Sequence, residues 1–219
     1  MRVSSDLMRA FPVLRICPHM PNWVGFGVTK PSNINEKCEP DICADILEFD
    51  YTQYAPGSFD VIWSSPPCDK FSKACFSNIG RYGITRETLL RDIHLIGLPI
   101  LRRTEDIIRY LKPRKYFIEN PATGRMKDFV SLPNETYTLD YCAYSDWGYR
   151  KRTNVFTNVR GFQPKLCAGF GVCPNTEGGR HKKSVIGNKK DRKGTGGSGD
   201  KSQRHAVPKD LILELLGCP

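Results

Sequence analysis

The chain has 219 residues, nine cysteines, and 33 Lys and Arg against 23 Asp and Glu, for a formal net charge of +10. That length supports a sizeable core, and no apolar run reaches the roughly 18–20 residues of a membrane span. No signal-peptide pattern opens the chain, and an odd number of scattered cysteines is not a disulfide framework, so a reduced, intracellular protein is expected and a secreted or membrane-bound one is not. The charge is regional. Residues 1–149 balance 18 Lys and Arg against 18 Asp and Glu, whereas residues 150–210 carry 15 against 4. A basic excess confined to one region is the footprint of a polyanion-binding surface.

In chain order, residues 24–30 predict a short strand and 42–49 a second short strand or turn. Residues 59–65 form an apolar run that reads as a buried strand. Residues 85–112 repeat Leu and Ile at helical spacing, with Pro99 dividing or kinking the helix. Residues 115–118 predict a strand that ends at Glu119-Asn120-Pro121, and 136–144 and 154–159 predict two more. A last helix is expected from about 208 to 216, with Pro208 in its first turn. Strands alternating with helical segments imply an α/β fold with a mainly parallel sheet and helices on both faces. Residues 187–203 are rich in Gly, Ser and Lys and lack the apolar content for a core; they are expected to be mobile and to order on a polyanion.

Three constellations carry chemistry. Ser64-Ser65-Pro66-Pro67-Cys68-Asp69-Lys70-Phe71-Ser72 follows the 59–65 strand. Its prolines fix the backbone and hold Cys68 at the sheet rim, where open α/β sheets bind ligands. Glu119 stands at a second strand end, and a thiolate nucleophile beside a carboxyl group is a covalent-catalysis pair. The basic run Arg150-Lys151-Arg152, with Trp147 and Tyr149 just before it, suits phosphate or planar carbonyl recognition. A metal is not expected. Cys167-x5-Cys173 followed by His181 is looser than paired zinc ligands, and Cys142, His205 and Cys218 are distant candidates for a fourth.

In this order and spacing the residues resemble the C5-cytosine-specific DNA methyltransferases. Pro66-Pro67-Cys68-x-x-Phe71-Ser72 is similar to the family's nucleophile loop, and Glu119-Asn120-Pro121 to its Glu-Asn-Val/Pro motif. Arg150-x-Arg152-x-Asn154 resembles its Gln-x-Arg-x-Arg motif, and Arg204-His205-Ala206-Val207-Pro208 its last motif. The size and the Asp146–Thr153 wording are closest to small phage- or virus-type members. The resemblance implies a Rossmann-like fold dependent on S-adenosylmethionine, with a base extruded from double-stranded DNA. It implies that Cys68 attacks carbon 6 of cytosine, that Glu119 binds the N3 edge, and that Arg152 stabilises the ring carbonyl. Cofactor contacts are expected at Asn33, Asp45, Ile46, Pro66 and Val207. DNA contacts are expected at Lys70, Lys73, Arg150, Lys151, Arg180, Lys182, Lys183, Lys189 and Lys190, with Lys70 or Lys73 also a candidate cation for activating Cys68. A monomer in the cytoplasm of a bacterial or virus-infected host cell is expected.

The departures lie in the cofactor half. The family opens with Phe-x-Gly-x-Gly on its first strand, yet residues 1–23 contain no glycine. An incomplete N-terminal strand and helix would follow, and a remnant that only binds DNA is the alternative reading. Asp69 replaces the loop's Gln and is expected to raise the Cys68 pKa. The expected organisation is a catalytic core over residues 1–159, a small basic target-recognition-like insert over 160–203, and a returning motif and helix over 204–219.

Overall fold

The computed structural model describes residues 13–16, 23–26, 42–185 and 206–217. Asn33, Lys189, Lys190, His205 and Cys218, and the 187–203 segment expected to be mobile, lie outside the described residues.

Seven strands form one sheet: β1 (Val13–Ile16), β2 (Trp23–Phe26), β3 (Ile42–Asp45), β4 (Val61–Ser64), β5 (Lys115–Pro121), β6 (Glu135–Asp140) and β7 (Arg152–Thr157). Their order is β3-β2-β1-β4-β5-β7-β6. Only β1–β4 and β4–β5 pair in parallel; the other pairings are antiparallel. The expected mainly parallel sheet is therefore corrected to a mixed one. Connection length is the reason. Residues 17–22 and 141–151 are too short to carry a helical crossover, so β2 and β7 return against their predecessors. The remaining five strands share one direction.

Side chains alternate across the sheet as strand geometry requires. Ile62, Ile118 and Phe156 face α3 (Leu98–Leu111), packing with its Ile100, Leu101, Ile107, Ile108 and Leu111. Val61, Trp63, Phe117 and Val155 face the other way, against Leu211, Ile212 and Leu215 of the C-terminal helix, α4 (Lys209–Leu216). Helices thus cover both faces.

The periodic stretch 85–112 is interrupted. Thr85 and Thr88 close a capping box on α2 (Arg86–Asp92), a π-helical turn spans Ile93–Gly97, and Pro99 sits in the first turn of α3. A short helix, α1 (Lys73–Phe76), precedes them, capped by Ser72. Pro208 is the N-cap of α4 rather than a residue of its first turn. The strand β1 was not read from the sequence: four residues between Pro12 and Cys17 offer too little pattern, and β1 holds its place through parallel pairing with β4. A separate hairpin, β8 (Thr176–Glu177) and β9 (Arg180–His181), follows the sheet. Among the described residues no helix is long and apolar enough to cross a membrane.

Candidate active site

β4 ends at Ser64, opposite Ile16 of β1 on one side and Ile118 of β5 on the other. Chain order reverses between β1 and β4, and in such sheets that switch point is where ligands bind, outside the carboxyl ends of the strands. The Pro66-Pro67-Cys68 loop leaves from this point. It is tied down twice: Asn120 of β5 donates its side-chain amide to the Pro66 carbonyl at 3.2 Å, and the Arg125 N–H bonds the Phe71 carbonyl at 2.8 Å. Phe71, fully buried against Phe129, anchors the short 3-10 turn that Cys68 caps.

Glu119 is buried at the rim of β5. Its Oε1 accepts the Tyr141 hydroxyl at 3.0 Å and lies 3.2 Å from the Lys151 ammonium. Lys151 also sits 4.8 Å over the Tyr141 ring. Burial, then the Glu119 charge, push the Tyr141 phenol well above its ordinary range, so it is a donor to Glu119. Burial and, next, the Glu119 charge also push the Cys68 thiol up; Lys151 pulls it down and Asp69, as expected, adds to the rise. Glu119 and Lys151 thus act on the Cys68 thiol in opposite directions.

Several of the predicted site residues have partners within the protein. Lys151, expected on DNA, is half-buried and pairs with Glu119. Arg152, expected at a ring carbonyl beside Cys68, turns to Asp140, which it grips through Nε and Nη2 at 3.0 and 2.9 Å. Strand alternation is the cause, since neighbours along β7 point to opposite faces. Arg150 also bonds Asp140, at 3.0 Å. Burial raises the Asp140 carboxyl, but Arg152, the Cys167 N–H and Arg150 outweigh it and hold the group below the ordinary aspartate range. Lys70, a candidate cation for Cys68, is paired with Asp92 at 3.4 Å. Lys73, Arg180, Lys182 and Lys183 are exposed.

Of the expected cofactor contacts, Ile46 lies in the core at 1% exposure, and Val207 packs against the α4 face. Asp45, ending β3, takes the Leu47 N–H on its carboxylate at 2.9 Å. The Pro66 carbonyl is occupied by Asn120. Tyr141, Asn120 and Asp140 were missed in the sequence. For Asn120 the signal was its place beside Glu119 in the motif, whereas Tyr141 and Asp140 read only as strand residues.

The loosely spaced Cys167, Cys173 and His181 are brought together in the structure. Cys142 joins Cys167, Cys173 and His181, and their ligand atoms all lie within 4.8 Å of one another.

No protein-family model matches the chain. A curated protein of Frog virus 3 (isolate Goorha), named "Probable DNA (cytosine-5)-methyltransferase", is 47% identical over 224 residues, covering 99% of each chain. With that identity over nearly its whole length, the chain belongs to the DNA (cytosine-5)-methyltransferase family.

Proposed function

We propose that the chain methylates carbon 5 of cytosine in double-stranded DNA, with Cys68 as nucleophile and Glu119 as the group that holds the base edge. The observation that carries this reading is that the Cys68 loop leaves β4 and the Glu119–Lys151 pair stands near the end of β5, on adjacent parallel strands at the switch point of the sheet. The order β3-β2-β1-β4-β5, with five strands in one direction, supports a Rossmann-like fold. For the cofactor, the Ser64 hydroxyl is buried at the carboxyl end of β4 with no hydrogen-bond partner among the described residues, and the Asp45 carboxylate stands at the end of β3. A hydroxyl and a carboxylate at strand ends fit a polar nucleoside ligand. S-adenosylmethionine, when bound, supplies the methyl group.

The protein's own groups do the rest. In the free site the thiol is held protonated by burial and by the Glu119 charge. An extruded cytosine presenting N3 to Glu119 draws a proton to the shared edge and neutralises that charge. With that charge neutralised, the Cys68 thiol gives up its proton to water and the thiolate adds to carbon 6, moving electron density onto carbon 5, where the methyl group supplied by the cofactor would be accepted. Loss of the carbon-5 proton to water re-forms the double bond and expels Cys68 as the thiolate. Lys151 and Tyr141 hold the Glu119 carboxylate in place. Arg150, Arg180 and Lys183 line one open groove, suited to phosphate contacts.

Transfer of a labelled methyl group to DNA tests the proposal. Cys68→Ala is expected to abolish transfer, and DNA containing 5-fluorocytosine, whose fluorine cannot leave as a proton does, is expected to trap a covalent adduct on Cys68. Undiminished transfer by Cys68→Ala refutes the assignment. The glycine-free stretch 1–23 favours a second reading, a DNA-binding protein without turnover; salt-dependent DNA binding with no cofactor binding by calorimetry would select it.

A further inference from the structure

We propose that Cys142, Cys167, Cys173 and His181 bind one structural zinc ion that staples the segment after β7 onto the end of β6. The cysteines are separated by 25 and 6 positions and come from different parts of the fold, yet they converge with His181 on one point. The His181 Nε2 is 3.5 Å from the Cys167 sulfur and 3.8 Å from the Cys173 sulfur. A tetrahedral zinc with Zn–S of about 2.3 Å and Zn–N of about 2.0–2.1 Å sets S···N separations at about 3.6 Å. A Cys3His donor set is a common closed, structural zinc site.

The surrounding chain is built to present these ligands. Gly178 and Gly179, at φ +55° and +79°, make the two-residue turn that sets His181 opposite Thr176 in the β8–β9 hairpin. The Cys173 N–H bonds the Gly169 carbonyl at 2.9 Å. Buried Asn175 donates to the Cys142 carbonyl at 3.0 Å and the Ser145 carbonyl at 2.8 Å, and accepts the Gly148 N–H at 2.9 Å. The Cys167 N–H bonds the Asp140 carboxylate at 3.0 Å. Backbone contacts that fix ligand residues in this way are the outer shell a metal site requires.

The hydrogen bonds that tie the segment down are not backed by an apolar cluster of its own among the described residues. Its strands are two residues long, and Leu166, Phe170 and Val172 are 53%, 64% and 71% exposed. A small loop-rich unit without a core needs a metal or a disulfide. The ion would join this basic segment to Asp140, and through Asp140 to Arg150 and Arg152.

Metal analysis of the purified full chain is the test, run beside cobalt substitution. About one zinc per chain is expected. Exchange with cobalt should give the tetrahedral d–d bands and thiolate-to-metal charge transfer of a three-sulfur site. Cys68→Ala should keep the metal and Cys167→Ala should lose it. Should Cys167→Ala fail to fold, stripping the wild-type chain with a chelator is expected to expose residues 163–185 to protease, with protection restored by added zinc. Substoichiometric metal with no uptake of zinc or cobalt overturns the proposal, as does a disulfide between any two of the three cysteines in the freshly purified protein.

Discussion

Lys151→Met removes a cation that is 11% exposed while keeping an aliphatic chain over the Tyr141 ring. At 3.2 Å and an effective dielectric of roughly 20, the attraction between Lys151 and Glu119 is about 5 kcal/mol before desolvation. Removing one member of such a pair leaves the other charge buried and uncompensated, which costs about 3–5 kcal/mol. Glu119→Gln should cost less, because the amide keeps the Tyr141 hydrogen bond and carries no charge. The double variant should be more stable than the sum of the two losses implies, with a coupling of about 2–3 kcal/mol in urea unfolding.

The same variants report on the thiol. Lys151 lowers the Cys68 pKa and Glu119 raises it. Below that pKa the alkylation rate follows the thiolate fraction, which changes about tenfold for each unit of pKa. Cys68 should therefore react with iodoacetamide more slowly in Lys151→Met and faster in Glu119→Gln, read on the Cys68 peptide by mass spectrometry. The reasoning fails if Lys151→Met costs less than about 1 kcal/mol, as an exposed pair would, and both variants alkylate at the wild-type rate.

Asp140 is buried with its pKa held below the ordinary aspartate range. Its folded pKa lies under its unfolded one, so its stabilising effect is present above about pH 4 and disappears as the pH falls through the folded value. Asp140→Asn should flatten the acid limb of a stability–pH curve below about pH 4; an unchanged acid limb would contradict the pairing with Arg150 and Arg152. Gly97 sits where an added Cβ would lie 2.9 Å from two Phe71 ring atoms. Gly97→Ala gains helix propensity but overpacks a fully buried ring, for a net loss of about 1–2 kcal/mol. Since the Phe71 N–H bonds the Cys68 carbonyl, methyl transfer should fall further than stability does; equal activity at the wild-type level would show that the ring moves without disturbing the loop.

The parts of the molecule legible in the sequence are those with local causes. The apolar run at 61–64, the helical spacing of 86–111 and the Pro-Pro turn before Cys68 are each set by neighbours in the chain. Strand direction was not legible, because it depends on whether a connection can cross the sheet, and the two short returns that reverse β2 and β7 carry no signature of their own. The cluster of three cysteines and His181 was only partly legible. Cys167, Cys173 and His181 are near in sequence, whereas Cys142 is brought in by the end of β6 and by the Asn175 hydrogen bonds, neither of which spacing reveals.

Arg150-Lys151-Arg152 gives the sharpest example of that divide. As composition it is one basic patch, and a patch predicts phosphate contacts for every member. Entering β7, the three residues alternate. Lys151 turns to Glu119 and takes part in setting the Cys68 thiol, while Arg150 and Arg152 turn to Asp140, beside the cysteine cluster. One strand thus feeds two systems from consecutive positions. The backbone at 151 links them, since the Tyr141 N–H bonds the Lys151 carbonyl at 3.1 Å while the Tyr141 hydroxyl bonds Glu119. Asp140, Tyr141 and Cys142 follow one another at the end of β6, so one short stretch of backbone carries the partner of Arg150 and Arg152, the partner of Glu119 and a member of the cysteine cluster.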